Sequence, residues 1–194
     1  MIKYLYIIIF ITSSFFCDDW SISANLHIVE VDSLFDSDGV FLDTEQNIIF
    51  DTNNFLGMKN DALDGYDGAY DIPEPPHAPD RWVSLYFPHP EWDHSLGDNF
   101  TQDIRSDILL NPQDRIIQWD FNIESNASGT AILNFNIFEN YCYSCIESIE
   151  LDVNGSTYLI PLYELGEFNI SVVIESYNIV PCSLVVTFLD FNTI

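Results

Sequence analysis

From Ile116 onward, apolar side chains return at every second position in short runs set apart by turn-forming residues. That period is the one by which a strand buries one face of a sheet and wets the other. The pattern predicts strands at Ile116 to Glu124, Thr130 to Phe138, Ile146 to Val153, Thr157 to Leu162, Glu167 to Glu175 and Cys182 to Leu189. Leu184, Val186 and Phe188 form the inward face of the last one. Asn154-Gly155 lies between two runs and predicts a two-residue hairpin turn, which needs positive φ twice. Upstream, Ala24 to Val31 alternates as a first strand. Gln46 to Met58 holds two apolar runs split by Asp51, Thr52, Asn53 and Asn54, which fits either a bent strand or a hairpin. Arg81 to Phe87 sets Trp82, Ser84 and Tyr86 on one face and Val83, Leu85 and Phe87 on the other, the pattern of a strand buried on both sides. No helical stripe of useful length is present. These elements predict an all-β fold, an antiparallel β-sandwich of Ig-like or jelly-roll-like kind with about eight to nine strands.

The chain has 194 residues, of which 47% are hydrophobic and 15% aromatic. That is enough for one sandwich-sized domain with a real core, and too apolar for a disordered chain. At the start, Lys3 precedes an apolar run from Tyr4 to Ile11, and small residues then lead into Cys17. This reads as a signal peptide over residues 1–17, with residues 18–194 as a single sandwich domain. Cleavage after Ser14 suits the small residues, and a lipid anchor at Cys17 is the alternative. No later apolar run reaches spanning length, so no transmembrane segment is expected in the mature chain. The expected location is secreted or cell-surface, on the periplasmic or outer-membrane side if lipidated. With 31 acidic residues against 5 Lys and Arg, the formal charge is -26. Such a surface repels nucleic acid and anionic membranes, so no nucleic-acid partner is expected.

Candidate chemistry concentrates in a Gly/Asp/Pro-rich loop at 57–80 and the aromatic run after it. Asp61, Asp64, Asp67 and Asp71 recur at helical spacing, but Gly65, Gly68 and Pro73 place them in a loop. Carboxylates crowded there need either solvent or a bridging calcium ion. Asp36, Asp38 and Gly39 match part of a calcium loop, without its further oxygen ligands. His89, Glu91, Asp93 and His94 are candidate transition-metal ligands, held by a backbone that Pro88 and Pro90 constrain. Trp82, Tyr86 and Trp92, with Trp119, are candidates for a sugar-stacking surface; the competing reading puts Trp82 and Trp119 in the core. Cys142, Cys145 and Cys182 are disulfide candidates of unassigned pairing in an oxidising compartment. Asn99, Asn126, Asn154 and Asn169 lie in Asn-x-Ser/Thr triplets, meaningful in a eukaryotic secretory chain. Gly-x-Ser-x-Gly, His-Glu-x-x-His and a phosphate-cradling glycine loop are all absent from the sequence. With so many acids, some glycosidase-like pair arises by chance, so a hydrolase is the weakest alternative.

The runs DALDGYDGAYDIPEPP, VSLYFPHPEW, GDNFTQDIRS and DRIIQWDFNIES, in that order, resemble a module of large bacterial surface proteins, many of which carry a type IX secretion sorting domain. The resemblance spans about Leu56 to Thr187 and implies a secreted β-sandwich without assigned catalysis; no sorting domain follows in this sequence. The expected function is thus a non-catalytic structural or adhesive module, calcium being the one cofactor considered and an extracellular protein or glycan the partner. A carbohydrate-binding module is the alternative.

Overall fold

Eleven strands in two packed sheets make up the described part of the chain, so the all-β sandwich expected from the alternation is the fold. The computed structural model describes residues 20–29, 48–63, 65–106, 116–137, 146–162 and 167–189. The strands are β1 (Trp20–Val29), β2 (Ile48–Lys59), β3 (Val83–Pro88), β4 (Asn99–Phe100), β5 (Gln102–Ser106) and β6 (Ile116–Ser125). They continue as β7 (Gly129–Ile137), β8 (Ile146–Val153), β9 (Ser156–Leu159), β10 (Glu167–Ile174) and β11 (Val180–Phe188). One sheet runs in the order β10-β7-β1-β2-β5, the other in the order β4-β3-β6-β11-β8-β9. Among the described residues no helix is long and apolar enough to cross a membrane.

The late strands fall within a few residues of their expected places, and β11 shows why. Val180, Cys182, Leu184, Val186 and Phe188 are buried while the residues between them are not, so period-two burial alone locates the strand. The turn at Asn154 and Gly155 has φ of 51° and 83°, as a two-residue hairpin between β8 and β9 demands. β3 is buried from Val83 through Phe87, confirming a strand covered on both faces.

Two differences from a plain antiparallel sandwich shape the polar centre of the molecule. Of the two readings of the apolar runs before Met58, the bent strand holds: β2 is one continuous strand with a bulge opposite β1, and it runs on to Lys59, three residues into the expected loop. The second difference is β4 with β5, which had no counterpart in the pattern. Between Asn99 and Ser106, Phe100 and Ile104 are the large apolar side chains, too few for a legible alternation. β5 pairs with β2 in parallel, Phe55 opposite Gln102 through Lys59 opposite Ser106, where the expectation was antiparallel throughout. A parallel neighbour requires a crossover. Residues 60–101 supply it by leaving the first sheet, giving β3 and β4 to the second, and coming back.

The core lies between the sheets. Ile22, Leu26, Ile28, Leu133 and Phe135 face it from the first sheet; Leu85, Phe87, Trp119, Phe121, Ile123 and Leu184 face it from the second. Rings link the layers: Phe87 is 6.0 Å from Phe121, which meets Phe135 edge-on at 6.5 Å. Each such side chain, fully buried, contributes about 1.5–3 kcal/mol.

Candidate functional site

The crossover segment holds most of the polar side chains that the sequence singled out, and it turns several of them inward. Asp67 is buried, with Oδ2 accepting from the Leu63 N–H (3.1 Å) and Oδ1 from the Ala69 N–H (2.9 Å). Its carbonyl accepts from the N–H groups of Tyr70 and Asp71. Asp71, 2% exposed, accepts from the Asp67 N–H (2.6 Å) through Oδ2 and from the Ile104 N–H of β5 (3.1 Å) through Oδ1. Each of these four carboxylate oxygens therefore satisfies a backbone donor that a loop would otherwise leave open. Burial, countered by those two N–H groups, pushes the Asp71 carboxyl up to about 6. Asp61 is exposed, and Asp64 lies outside the described residues, as do Asp36, Asp38 and Gly39. Among the described residues no three His, Cys, Asp or Glu side chains are grouped to hold a metal ion.

Asp103 on β5 is the second node, fully buried at 0% exposure. Arg105 grips it with two hydrogen bonds, Nη2 to Oδ2 at 2.7 Å and Nε to Oδ1 at 3.0 Å, and the His89 Nε2 lies 3.1 Å from Oδ2. The other His89 nitrogen, Nδ1, meets Glu91 at 2.7 Å. Burial alone would raise the Asp103 carboxyl, but the hydrogen bonds from His89 and Arg105 prevail and hold it below the usual range. For His89 burial acts downward, and its two carboxylate neighbours overcome it and raise the imidazole. Arg105 also donates to the Gln118 carbonyl (2.8 Å) and lies 5.1 Å over the Trp119 ring, whose indole N–H reaches the Asp103 carbonyl (3.2 Å). A histidine beside a buried aspartate is the basic half of many hydrolytic sites. Here both ring nitrogens are already engaged by carboxylates.

Of the expected transition-metal set, His89 and Glu91 come together and His94 does not join them. Its Nδ1 accepts from the Leu96 N–H (3.3 Å), and its ring packs 4.7 Å from Tyr66. Asp93 ends the short 3-10 turn Pro90–Trp92 with φ of 45°. Tyr66, Trp92, His94 and Phe100 form an aromatic cluster beneath the acidic loop, which gives the Asp-Gly-Tyr-Asp run a packing role.

The three candidate stacking residues are not assembled into one row. Tyr86 is buried at 5% exposure. Trp92, beyond the far end of β3, stacks on His89 at 3.7 Å and 2°. Trp82, just before β3, stacks on His77 at 3.6 Å and meets Tyr177, 71% exposed, edge-on at 6.5 Å. Trp119 is in the core, as the competing reading had it. The His77 side opens onto a cleft of about 220 Å³ lined by Glu74, Pro75, His77, Asp98 and Asn99 among others. Ser84 Oγ donates to Glu74 Oε1 (2.7 Å), yet burial pushes Glu74 up to about 7.

Cys182 is buried in β11, its Sγ 3.7 Å from the Val180 carbonyl oxygen, and burial pushes the thiol up to about 12. Cys142, Cys145 and Cys17 lie outside the described residues. Sequence reasoning missed Asp51, Asn54, Glu74, Asp103 and Arg105. One signal was available for the last two: Asp103 and Arg105 sit two apart in a strand, on one face, and Arg105 is one of five basic residues in an acidic chain. No protein-family model, no curated protein and no solved structure matches the chain.

Proposed function

We propose that this protein is a non-catalytic, secreted or cell-surface β-sandwich module with a structural or adhesive role. The observation that carries the reading is the inward use of its polar side chains. Asp67, Asp71, Asp103, His89 and Arg105 bond to the backbone and to one another, stitching the crossover to β5 and leaving neither ring nitrogen of His89 for a substrate. Groups occupied in holding a chain path are poorly placed to move protons. The loop's stiffness then comes from backbone donors, and a calcium ion at Asp61, Asp64, Asp67 and Asp71 would bind through lone pairs those donors leave. The likeness of the 56–187 segment to modules of bacterial surface proteins supports export and a surface role. Display of the chain on a non-adherent cell tests this: attachment to protein-coated surfaces, abolished by excess soluble chain, is the expected result, and no gain in attachment overturns it.

A second reading, a carbohydrate-binding module, is favoured by one observation. Trp82, His77 and exposed Tyr177 adjoin a cleft that carries Glu74 and Asp98. Glycan-array binding lost in W82A and Y177A, with no attachment to protein surfaces, would replace the first reading with the second.

A further inference from the structure

The bulge in β2 builds a polar cluster that none of the preceding roles uses. β1 and β2 pair Ala24 with Asn54 and then Leu26 with Asp51, so Asn25 alone stands opposite Thr52 and Asn53. Asn53 takes φ of 74° to make room. In an unbroken strand, residues three apart point to opposite faces. The extra residue instead brings Asp51 and Asn54 to the same side, a re-aiming that bulges are suited to. Asn54, at 0% exposure, donates from Nδ2 to Asp51 Oδ2 (3.0 Å), and the same oxygen reaches across to the second sheet to accept from the Leu85 N–H of β3 (2.6 Å). The residue before it, Ser84, holds Glu74. Two carboxylates thus arrive from separate parts of the chain onto consecutive residues of one strand.

The cluster is short of positive charge and of donors. Asn54 Oδ1 and Glu74 Oε2 are both out of solvent and have no hydrogen-bond partner among the described residues. Buried acceptors are rarely left so, and a bound ion or an ordered water is the usual partner. The titratable groups acting on the pair are His77 on Asp51, and Asp51 on Glu74; Tyr86 feels Glu74, and Asp98 shares the cleft with it. Glu74 lines that cleft, so the cluster has a route to solvent past His77 and Asp98.

We propose that Asp51, Asn54 and Glu74 form a binding site for one hard divalent cation, calcium by the chemistry of its donors, entered from the cleft. Two carboxylates and an amide carbonyl are hard oxygen ligands, and calcium accepts such irregular sets with water completing the shell. Mg²⁺ demands a near-ideal octahedron, thiophilic metals find no sulfur among these ligands, and the nearby His77 ring is stacked on Trp82. The site is separate from the Asp61 to Asp71 loop and independent of the adhesive reading: a cation here ties β2 to the part of the crossover that Ser84 of β3 holds through Glu74, whatever the outer surface meets. Burial raises the carboxyls of both Asp51 and Glu74.

The test uses the full chain after chelation, titrated with calcium chloride and, in parallel, with magnesium and sodium chloride at matched ionic strength. Expected are binding of one calcium per chain by equilibrium dialysis and a calcium-specific rise in Tm. E74Q keeps the side-chain shape and should lower calcium affinity at least tenfold. D51N, which still accepts from Leu85, should do the same and serves should E74Q fail to fold. E150Q, which removes an exposed carboxylate of β8 outside both acidic groups, should respond like the parent. No calcium-specific rise overturns the proposal, as does a rise that survives both E74Q and D51N, or one that E150Q abolishes. Stability that follows pH through Glu74 yet ignores calcium means the buried oxygens hold a proton, and also overturns it.

Discussion

Asp103 shows at the scale of one residue how this chain deploys its scarce positive charge. A carboxylate with no exposure is tolerable because Arg105 meets both of its oxygens and His89 adds a third bond. Removing the charge leaves Arg105 without its partner, so D103N should cost about 3 kcal/mol, read as a fall in the urea midpoint at unchanged slope. The pH profile follows from the directions of the shifts. Asp103 is lowered from 3.8, so its contribution is present above that value and is lost as pH falls through its folded pKa. His89 is raised from 6.5, so its contribution is complete below that value and is lost as pH climbs through its folded pKa. Glu74, raised from 4.5 to about 7, and Asp71, raised from 3.8 to about 6, bind protons more tightly folded than unfolded, so they weaken the fold as pH rises across those intervals. The loss from Asp103 begins below 3.8 and the losses from Asp71 and Glu74 begin above 3.8 and 4.5, so without added cations the protein should be most stable at about pH 4, on the acid side of the usual optimum. Urea midpoints across pH should show the decline above that pH shrink in E74Q, and the loss below it shrink in D103N. A flat profile through neutrality would contradict both assignments.

At the scale of elements, what was legible is what repeats. β6, β8 and β11 announce themselves because each alternate side chain must enter the core, and the exposed β9 follows from Asn154-Gly155, whose turn needs two positive φ values. β2 was legible as a bent strand or a hairpin, with the choice left open. The polar stretch from Asp51 to Asn54 suits a bend as well as a turn, and the structure uses it for a bulge that keeps the strand running. Asn53 bears the unusual backbone conformation this requires, and it tests the account: Asn53→Gly should leave stability within about 0.5 kcal/mol, whereas Asn53→Val should cost about 1–2 kcal/mol because a β-branched side chain resists that φ. Thermal melts of the two variants decide it, equal midpoints being the adverse result. The inward carboxylates were illegible for a different reason. Asp67 and Asp71 stand at spacings that serve a solvated turn, a calcium loop or a set of backbone caps equally well, and what selects among them is Ile104, whose N–H arrives from a strand thirty-three residues away. β5 itself carries too little apolar pattern to reveal that it would come.

Across the whole molecule, the charge of -26 is a field as well as a set of pairs. The basic side chains near it are partly occupied: Arg105 lies against Asp103, and the Lys59 ammonium sits 4.6 Å over the Tyr70 ring. Most of the acidic surface is therefore opposed by solvent ions alone, and its self-repulsion works against the compact state. Raising sodium chloride from about 10 mM to about 1 M shortens the screening length from about 30 Å to about 3 Å. Tm should accordingly climb with salt and level off once neighbouring carboxylates no longer sense one another. The buried Asp103 pair is screened far less, so D103N should lie below the parent by a nearly constant amount at every concentration, which separates the local contact from the field. Sodium perchlorate at equal ionic strength serves as the check on mechanism, since it screens as chloride does without strengthening apolar burial. A rise in chloride that vanishes in perchlorate would assign the effect to hydration of the sandwich core and leave the acidic surface without a part in stability.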